Sequence, residues 1–269
     1  MVTHMEPSDP QKKPAKPRIS EEGVAIFQRN PYSSDGRELT GSILWDGGNA
    51  LAKFVKWKCV GSMGMKGRVA VELGSGTGIV GLTLGSLGAQ VMLTDCEPEI
   101  LALLQRNIDA NELGQTVFVH HLNFGDASTY VSESQADLVV AAEVLYEHSH
   151  GADLACAFDA HLSAVPHAEA FLAYCHRDEA PLDLFISSLF AKGFGVERLE
   201  NESGCAVAGA QGPACNAYDG SHFRRLSEER AVDEILQVAR EGRFSAGNEP
   251  GPGGGGTQIF RLSRMPLCH

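Results

Sequence analysis

The stretch Val69 to Gly81, VAVELGSGTGIVG, constrains the fold of this chain more than any other. Val69-Ala70-Val71 is apolar and reads as a buried parallel strand. Gly74, Gly76 and Gly78 follow in a turn without Cβ atoms, where a ligand can approach the backbone. Ile79-Val80-Gly81-Leu82-Thr83-Leu84 then reads as a helix whose N-terminal N–H groups and positive dipole end face that turn. Strand, glycine turn and helix together form the nucleotide-binding corner of a doubly wound α/β domain.

Two cofactors could use this corner. From Gly76, the letters GTGIVG satisfy G-x-G-x-x-G, and Asp95 follows about 20 residues on, as a dinucleotide site asks. From Glu72, the letters ELGSGTG resemble the first motif of class I S-adenosylmethionine (SAM) methyltransferases. The strand has to end near Leu73, because Gly74 and Ser75 are poor strand residues. Gly76 then comes too late for a dinucleotide turn, while Glu72 stands at the strand end, placed for a charged amino group. SAM carries such an ammonium and a nicotinamide dinucleotide does not, so the segment favours SAM.

Bulk properties narrow the class. With 269 residues and 43% hydrophobic content, the chain can build one α/β domain with tails. Its formal charge of −12 argues against a nucleic-acid substrate and suits a basic peptide or a cationic cofactor. Cys59, Cys96, Cys156, Cys175, Cys205, Cys215 and Cys268 are scattered and form no C-x-x-C, so neither a zinc site nor a disulfide framework is expected. Reduced thiols point to the cytoplasm, with the nucleus as the other option. His120-His121 and His148-x-His150 lack a third ligand at metal spacing, so we expect no metal. No apolar stretch is long enough to span a membrane, and no secretory signal is expected.

Periodicity gives the organisation. Met1 to Ser20 is Pro- and Lys-rich and reads as a disordered tail, residues 21–269 as a single domain. Glu22 to Leu39 suggests a hairpin around Ser34-Asp35-Gly36, and Asn49 to Trp57 a helix. Strands are expected at Gln90 to Thr94 (closed by Asp95), Val117 to His120, Asp137 to Ala142 (ending at Glu143) and Ala170 to Tyr174, with two more at Val196 to Leu199 and Thr257 to Leu262. Helices are expected from Pro98 to about Asn111, from Gly151 to Ala164 and from Pro181 to Ala191. An insertion at about 203–256 carries an amphipathic segment, Leu226 to Glu241, between glycine-rich stretches. Strands alternating with helices predict a doubly wound, mostly parallel seven-stranded sheet. Ligands bind beyond the strands' C-terminal ends in such a sheet, so Glu72, Asp95, Phe124 and Glu143 should converge.

The ordered series TGSILWDGG, VELGSGTGIVGL, LTDCEPE, LNFGD and DLVVAAEVLYE resembles the seven-β-strand protein-lysine methyltransferases, methyltransferase-like enzymes that modify chaperones, elongation factors and AAA-type ATPases. The resemblance covers roughly Glu22 to Leu199 and the last strand. It implies a Rossmann-like fold and SAM-dependent methylation of a lysine amine in a protein substrate, with S-adenosylhomocysteine as the product. It further implies a monomer with no nucleic-acid or membrane partner. Cofactor contacts then fall on Trp45, Glu72, Gly74, Ser75, Gly76, Thr77, Gly78, Asp95, Cys96, Asn123, Phe124 and Ala142, and catalytic roles on Glu143 and Tyr146. Glu72 would orient the methionine amino group and Asp95 would bond the ribose hydroxyls. Three departures stand out: Glu143 where aspartate is usual, Phe124 where tryptophan is usual, and WDGG for the commoner WDAA. A small-molecule amine N-methyltransferase and a non-catalytic SAM-binding interaction module are the alternatives. The fourth strand lacks the Asn/Asp-Pro-Pro-aromatic segment expected of base-amino methyltransferases.

The chemistry suits these residues. Methyl transfer from a sulfonium is an in-line displacement in which positioning carries much of the catalysis. Lysine, with a pKa of about 10.4, arrives as an ammonium and must present a lone pair. Glu143 can hold and orient that nitrogen, and Tyr146 can wall its channel and face the cation. A carboxylate raises the pKa of a neighbouring amine, so the contribution of Glu143 is orientation, and the sulfonium pushes the amine's pKa back down.

Overall fold

The computed structural model describes residues 16–33, 35–61, 64–131, 135–147, 150–175, 179–199 and 257–265. Seven strands form one sheet: β1 (Val69–Leu73), β2 (Gln90–Asp95), β3 (Val117–His121), β4 (Leu138–Ala142), β5 (Glu169–Cys175), β6 (Phe194–Leu199) and β7 (Thr257–Arg264). Their order across the sheet is β3-β2-β1-β4-β5-β7-β6. Strands β1 to β5 pair in parallel, and β7 runs antiparallel between β5 and β6. The strand order reverses between β1 and β4, and that is where the crevice of a doubly wound sheet opens.

The central strands are apolar throughout because both faces are covered. Val71, Leu73, Val139, Ala141, Ala170, Leu172 and Tyr174 pack on one face with α4 (His150–His161) and α5 (Glu179–Ala191). Ala70, Val91, Leu93, Val140, Phe171 and Ala173 pack on the other with α1 (Asp46–Gly61), α2 (Ile79–Ser86) and α3 (Pro98–Ala110). The alternation follows from the period of two along each strand.

Several expected boundaries move, each for a physical reason. Helix α1 begins at Asp46 rather than Asn49, so Gly47 and Gly48 lie in its first turn. Helix α5 begins at Glu179 rather than Pro181, because a first turn needs no proline N–H. Helix α4 stops at His161, short of Ala164, because the chain turns to bridge Leu162 with Ala136. There the ring of His161 accepts the Val131 N–H at Nε2 (3.1 Å), with Nδ1 2.7 Å from the Ala157 carbonyl. The turn at Gly36 forms, closed by an isolated bridge between Tyr32 and Glu38. The ordinary antiparallel ribbon lies earlier, where Arg18–Ile19 pairs with Ala25–Ile26, so pairing begins inside the expected tail. Residues 1–15, the expected insertion at 203–256 and His148 lie outside the described residues.

The second strand of that ribbon and the residue after it are held by two asparagines one turn apart, Asn107 in α3 and Asn111 just past its end. Asn107 Oδ1 accepts the Phe27 N–H (2.7 Å), and its amide donates to the carbonyls of Phe27 (3.2 Å) and Thr77 (2.9 Å). Asn111 does the same at Ala25, accepting at 2.8 Å and donating at 2.8 Å. Asn107 is fully buried, and it ties the N-terminal segment, α3 and the glycine loop together. Asn107→Ala strands a buried N–H and two carbonyls and should cost about 3 kcal/mol of stability, read from urea unfolding midpoints. A loss below about 0.5 kcal/mol, the ordinary range for surface changes, would show that the amide is not the link described.

Candidate functional site

A cavity of about 730 Å³ opens at the C-terminal ends of β1, β2 and β4. Of the residues expected to bind cofactor, the structure gathers Trp45, Glu72, Gly74, Ser75, Gly76, Thr77, Asp95, Cys96, Asn123, Phe124 and Ala142 on its wall, together with Glu143 and Tyr146. Gly78 lies elsewhere. It precedes α2 at φ 80°, and a Cβ there would meet Leu104 at 2.7 Å, so its place is under α3.

The glycine loop is shaped by its own neighbours. Gly74 has φ 61°, and a Cβ there would stand 2.6 Å from Val144 and 3.2 Å from the Phe124 ring. Ser75 is a structural tie: its Oγ donates to the Glu72 carbonyl (3.0 Å) and accepts the Thr94 N–H (2.9 Å), locking loop to β2.

Glu72 is only 3% exposed, and its Oε2 accepts the Gly81 N–H of α2 at 2.8 Å. The carboxyl therefore lies at the positive end of that helix. Burial pushes its pKa up to about 8, against the pull of the backbone N–H groups. An anion binding at this helix end would meet a site already filled by the chain's own acid.

Asp95 closes β2 with its oxygens spread over two backbone donors, Gly76 N–H (3.1 Å) and Glu97 N–H (3.1 Å). Burial raises its pKa against the pull of the backbone N–H groups, and the residue lines the cavity. Glu97 beside it is gripped by Arg37 (3.0 Å), which also holds Glu99 (2.9 Å), so the segment before α1 is strapped to the start of α3. The Cys96 thiol is raised to about 11, chiefly by burial, and stays protonated.

At the opposite wall, Glu143 follows β4 at φ 59°, a conformation that costs a non-glycine residue about 1 kcal/mol or more. Its N–H continues the ladder to the Ala173 carbonyl (3.0 Å), and its Oε1 accepts the Gly47 N–H at the start of α1 (3.1 Å). Tyr146 is half-exposed, edge-on to His150 with centroids 5.0 Å apart. Phe124 meets the same imidazole at 6.2 Å. Trp45 donates from Nε1 to the Thr40 carbonyl at 2.9 Å, which sets its ring against the cavity.

The lining also holds groups that the sequence reading did not place in this site, among them Glu38, Glu97, Glu147, Asp153, Ile100 and His150, the last weighed only as a metal ligand. Glu97 sits two residues after Asp95 and could have been read from TDCEPE; His150 and Asp153 come from the start of α4, where no motif marks them. With Glu72, Asp95 and Glu143, seven carboxyl groups line the cavity and neither Lys nor Arg does. Such a cavity favours cations and disfavours phosphates. Among the described residues, no cluster of metal-binding side chains forms and no helix is long and apolar enough to cross a membrane.

A family model described as lysine methyltransferase matches residues 31–189, more than half of the chain. The protein N-lysine methyltransferase METTL21A of Mus musculus is 33% identical over 124 residues, 45% of this chain and 55% of that protein. The protein-lysine methyltransferase METTL21E of Mus musculus is 30% identical over 144 residues, 51% of this chain and 58% of that protein. The match thus spans little more than half the length of these relatives. Among solved structures, the magnesium protoporphyrin IX methyltransferase of Synechocystis PCC 6803, with SAM bound, overlaps 81% of this chain and 80% of its own at 11% identity and TM-score 0.49.

The buried Glu72 gives a pH dependence of definite sign. Below its ordinary value of 4.5 the group is protonated folded or unfolded; between 4.5 and about 8 only the unfolded chain ionises freely. Stability from this group is therefore present at low pH and lost as pH rises toward 8. Glu72→Gln should match wild type near pH 4.5 and exceed it in thermal stability at pH 9, both without ligand. A variant less stable than wild type at pH 9 would show that the folded protein holds this carboxylate ionised at no cost.

Proposed function

This chain belongs to the lysine methyltransferase family, and on that premise we propose that it transfers the methyl group of SAM to the side-chain amine of a lysine in a protein substrate. The observation that carries the reading is the acidic cavity wall joined to a helix end that Glu72 already occupies. A dinucleotide would place its pyrophosphate at that helix end, against a buried acid and with no Lys or Arg on the wall. A cofactor bearing a sulfonium and an ammonium meets a wall rich in carboxyl groups, with its ammonium favouring the ionised form of Glu72, and the ammonium of a lysine meets the same wall.

The residues fit the cofactor by donor type. Glu72 and the glycine turn would hold the amino-acid end, Asp95 would accept from the ribose hydroxyls, and Asn123 and Phe124 would flank the adenine. When bound, SAM supplies a methyl group on a cationic sulfur. Glu143 accepts hydrogen bonds from the incoming nitrogen and aims its lone pair. Tyr146 narrows the approach and faces the cation with its ring. Water kept out of the cleft strengthens both interactions. The same reading carries a monomer in the cytoplasm or nucleus with no nucleic-acid substrate. The acidic wall supports the last point, and Cys59, Cys96 and Cys156, none in a disulfide, support a reducing compartment.

Two measurements test it. SAM at 100 times its dissociation constant should stabilise the protein by about 2.7 kcal/mol in thermal unfolding, and NAD should not; stabilisation by NAD alone would reverse the cofactor. Radiolabelled methyl transfer into a lysate should label lysine of a protein, and Glu143→Ala should lower the rate about 100-fold with SAM affinity retained. Equal labelling by both would remove Glu143 from the mechanism, and faster labelling of a free small amine would replace the protein substrate.

A further inference from the structure

Gly47 carries no functional group, yet the geometry places it against the one carboxylate assigned to the transfer step. It lies buried in the first turn of α1, where its N–H has no partner within the helix. That N–H donates to Glu143 Oε1 at 3.1 Å. A Cβ built on Gly47 would stand 2.7 Å from Glu143 Cγ and 2.8 Å from Cδ, and closer still to Oε1. Real Cβ atoms essentially never approach this closely, so one of the two partners would have to move.

Which partner moves follows from how each is held. The backbone of Glu143 is tied to β5 through Ala173 and sits at φ 59°, so it cannot withdraw. The backbone of Gly47 belongs to a helix whose Leu51, Ala52 and Val55 are core residues. The contacted atoms of Glu143 are all in its side chain, beyond rotatable bonds that neither backbone offers. A methyl group at position 47 would therefore swing the carboxylate out of its seat while leaving sheet and helix in place.

We propose that Gly47 is a positioning residue for Glu143: the missing Cβ at the start of α1 is the notch that seats the carboxylate toward the cavity. The inference rests on the methyltransferase reading for its catalytic consequence, but not for the notch itself. The notch acts by excluding a single methyl group, so its effect is read on position, not on charge. Glu143 remains ionisable and present in a Gly47→Ala variant; only its aim is lost.

The test is a double-mutant cycle read in two ways on the full chain. In methyl transfer, Gly47→Ala should lower kcat about 100-fold, the scale of a misplacement near 1 Å, with the SAM dissociation constant within about threefold of wild type. In thermal unfolding, Gly47→Ala should raise Tm in a Glu143→Ala background, where the notch is empty and alanine is the better helix former. In the wild-type background the same change should fail to raise Tm, because the seat of Glu143 and its hydrogen bond are lost. An equal Tm change in both backgrounds, or wild-type kcat in Gly47→Ala, would overturn the proposal. If wild type methylates nothing, the methyltransferase reading falls while the Tm cycle still decides the notch.

Discussion

A single buried hydrogen bond organises the site: the Glu72 carboxyl against the Gly81 N–H of α2. A helix end with unpaired N–H groups is a ready anion site, and glycine turns ahead of such helices usually serve phosphates. Here the chain supplies its own acid to that position. The corner keeps the close approach that the glycines permit, but its helix-end donor is already spent on a carboxyl of the chain. The other six carboxyl groups of the cavity wall, from Glu38 to Asp153 in the sequence, supply the field that favours cations. The strand-turn-helix unit thus blocks the anion position, and the surroundings set the charge preference.

The second constraint is that most of the wall comes from segments outside the parallel sheet. Thr40, Gly41, Leu44 and Trp45 precede β1 in the chain and would be free to drift without anchors. Three anchors act on that stretch. Asn107 and Asn111 grip residues 25 and 27, and Arg37 ties the following turn to Glu97 and Glu99. Glu143 then reaches across to the start of α1. The exposed ion pairs contribute modestly; the buried asparagine contacts carry more, because their loss leaves backbone groups unpaired in the interior. The cavity is a product of this stapling as much as of the sheet.

The strand-turn-helix corner and the acidic residues at strand ends were legible because each is local: a strand shows as an apolar run, a turn as glycines, a strand end as the first charged residue. Glu72, Asp95 and Glu143 follow this rule. What stayed hidden was set by tertiary contact. The antiparallel placement of β7 between β5 and β6 leaves no trace in the eight residues Thr257–Arg264, since pairing partners are not encoded in a strand's period. The start of α1 at Asp46 was hidden because two glycines argue against a helix locally, and the group that satisfies the Gly47 N–H lies 96 positions away. The buried Asn107 reads as an ordinary polar residue on α3 until its partners on the N-terminal segment are seen.

Two departures from the family pattern stood apart in the sequence, the glutamate at 143 and the WDGG in place of WDAA. In the structure they meet. The Gly47 N–H donates to Glu143 Oε1, and a Cβ at 47 would collide with the Cγ, Cδ and Oε1 of that side chain in the small volume between β4 and α1. Interiors packed at crystal density do not absorb an extra carbon without displacement. An alanine at 47 with a glutamate at 143 would force the longer side chain off its seat, whereas a glycine at 47 turns the added length into a hydrogen bond with the helix end. The backbone of Glu143 at φ 59° belongs to the same arrangement, with its carboxylate accepting from the Gly47 N–H at the start of α1. Gly47 and Glu143 therefore act as one packing unit between α1 and the end of β4, and neither can be changed in volume without moving the other.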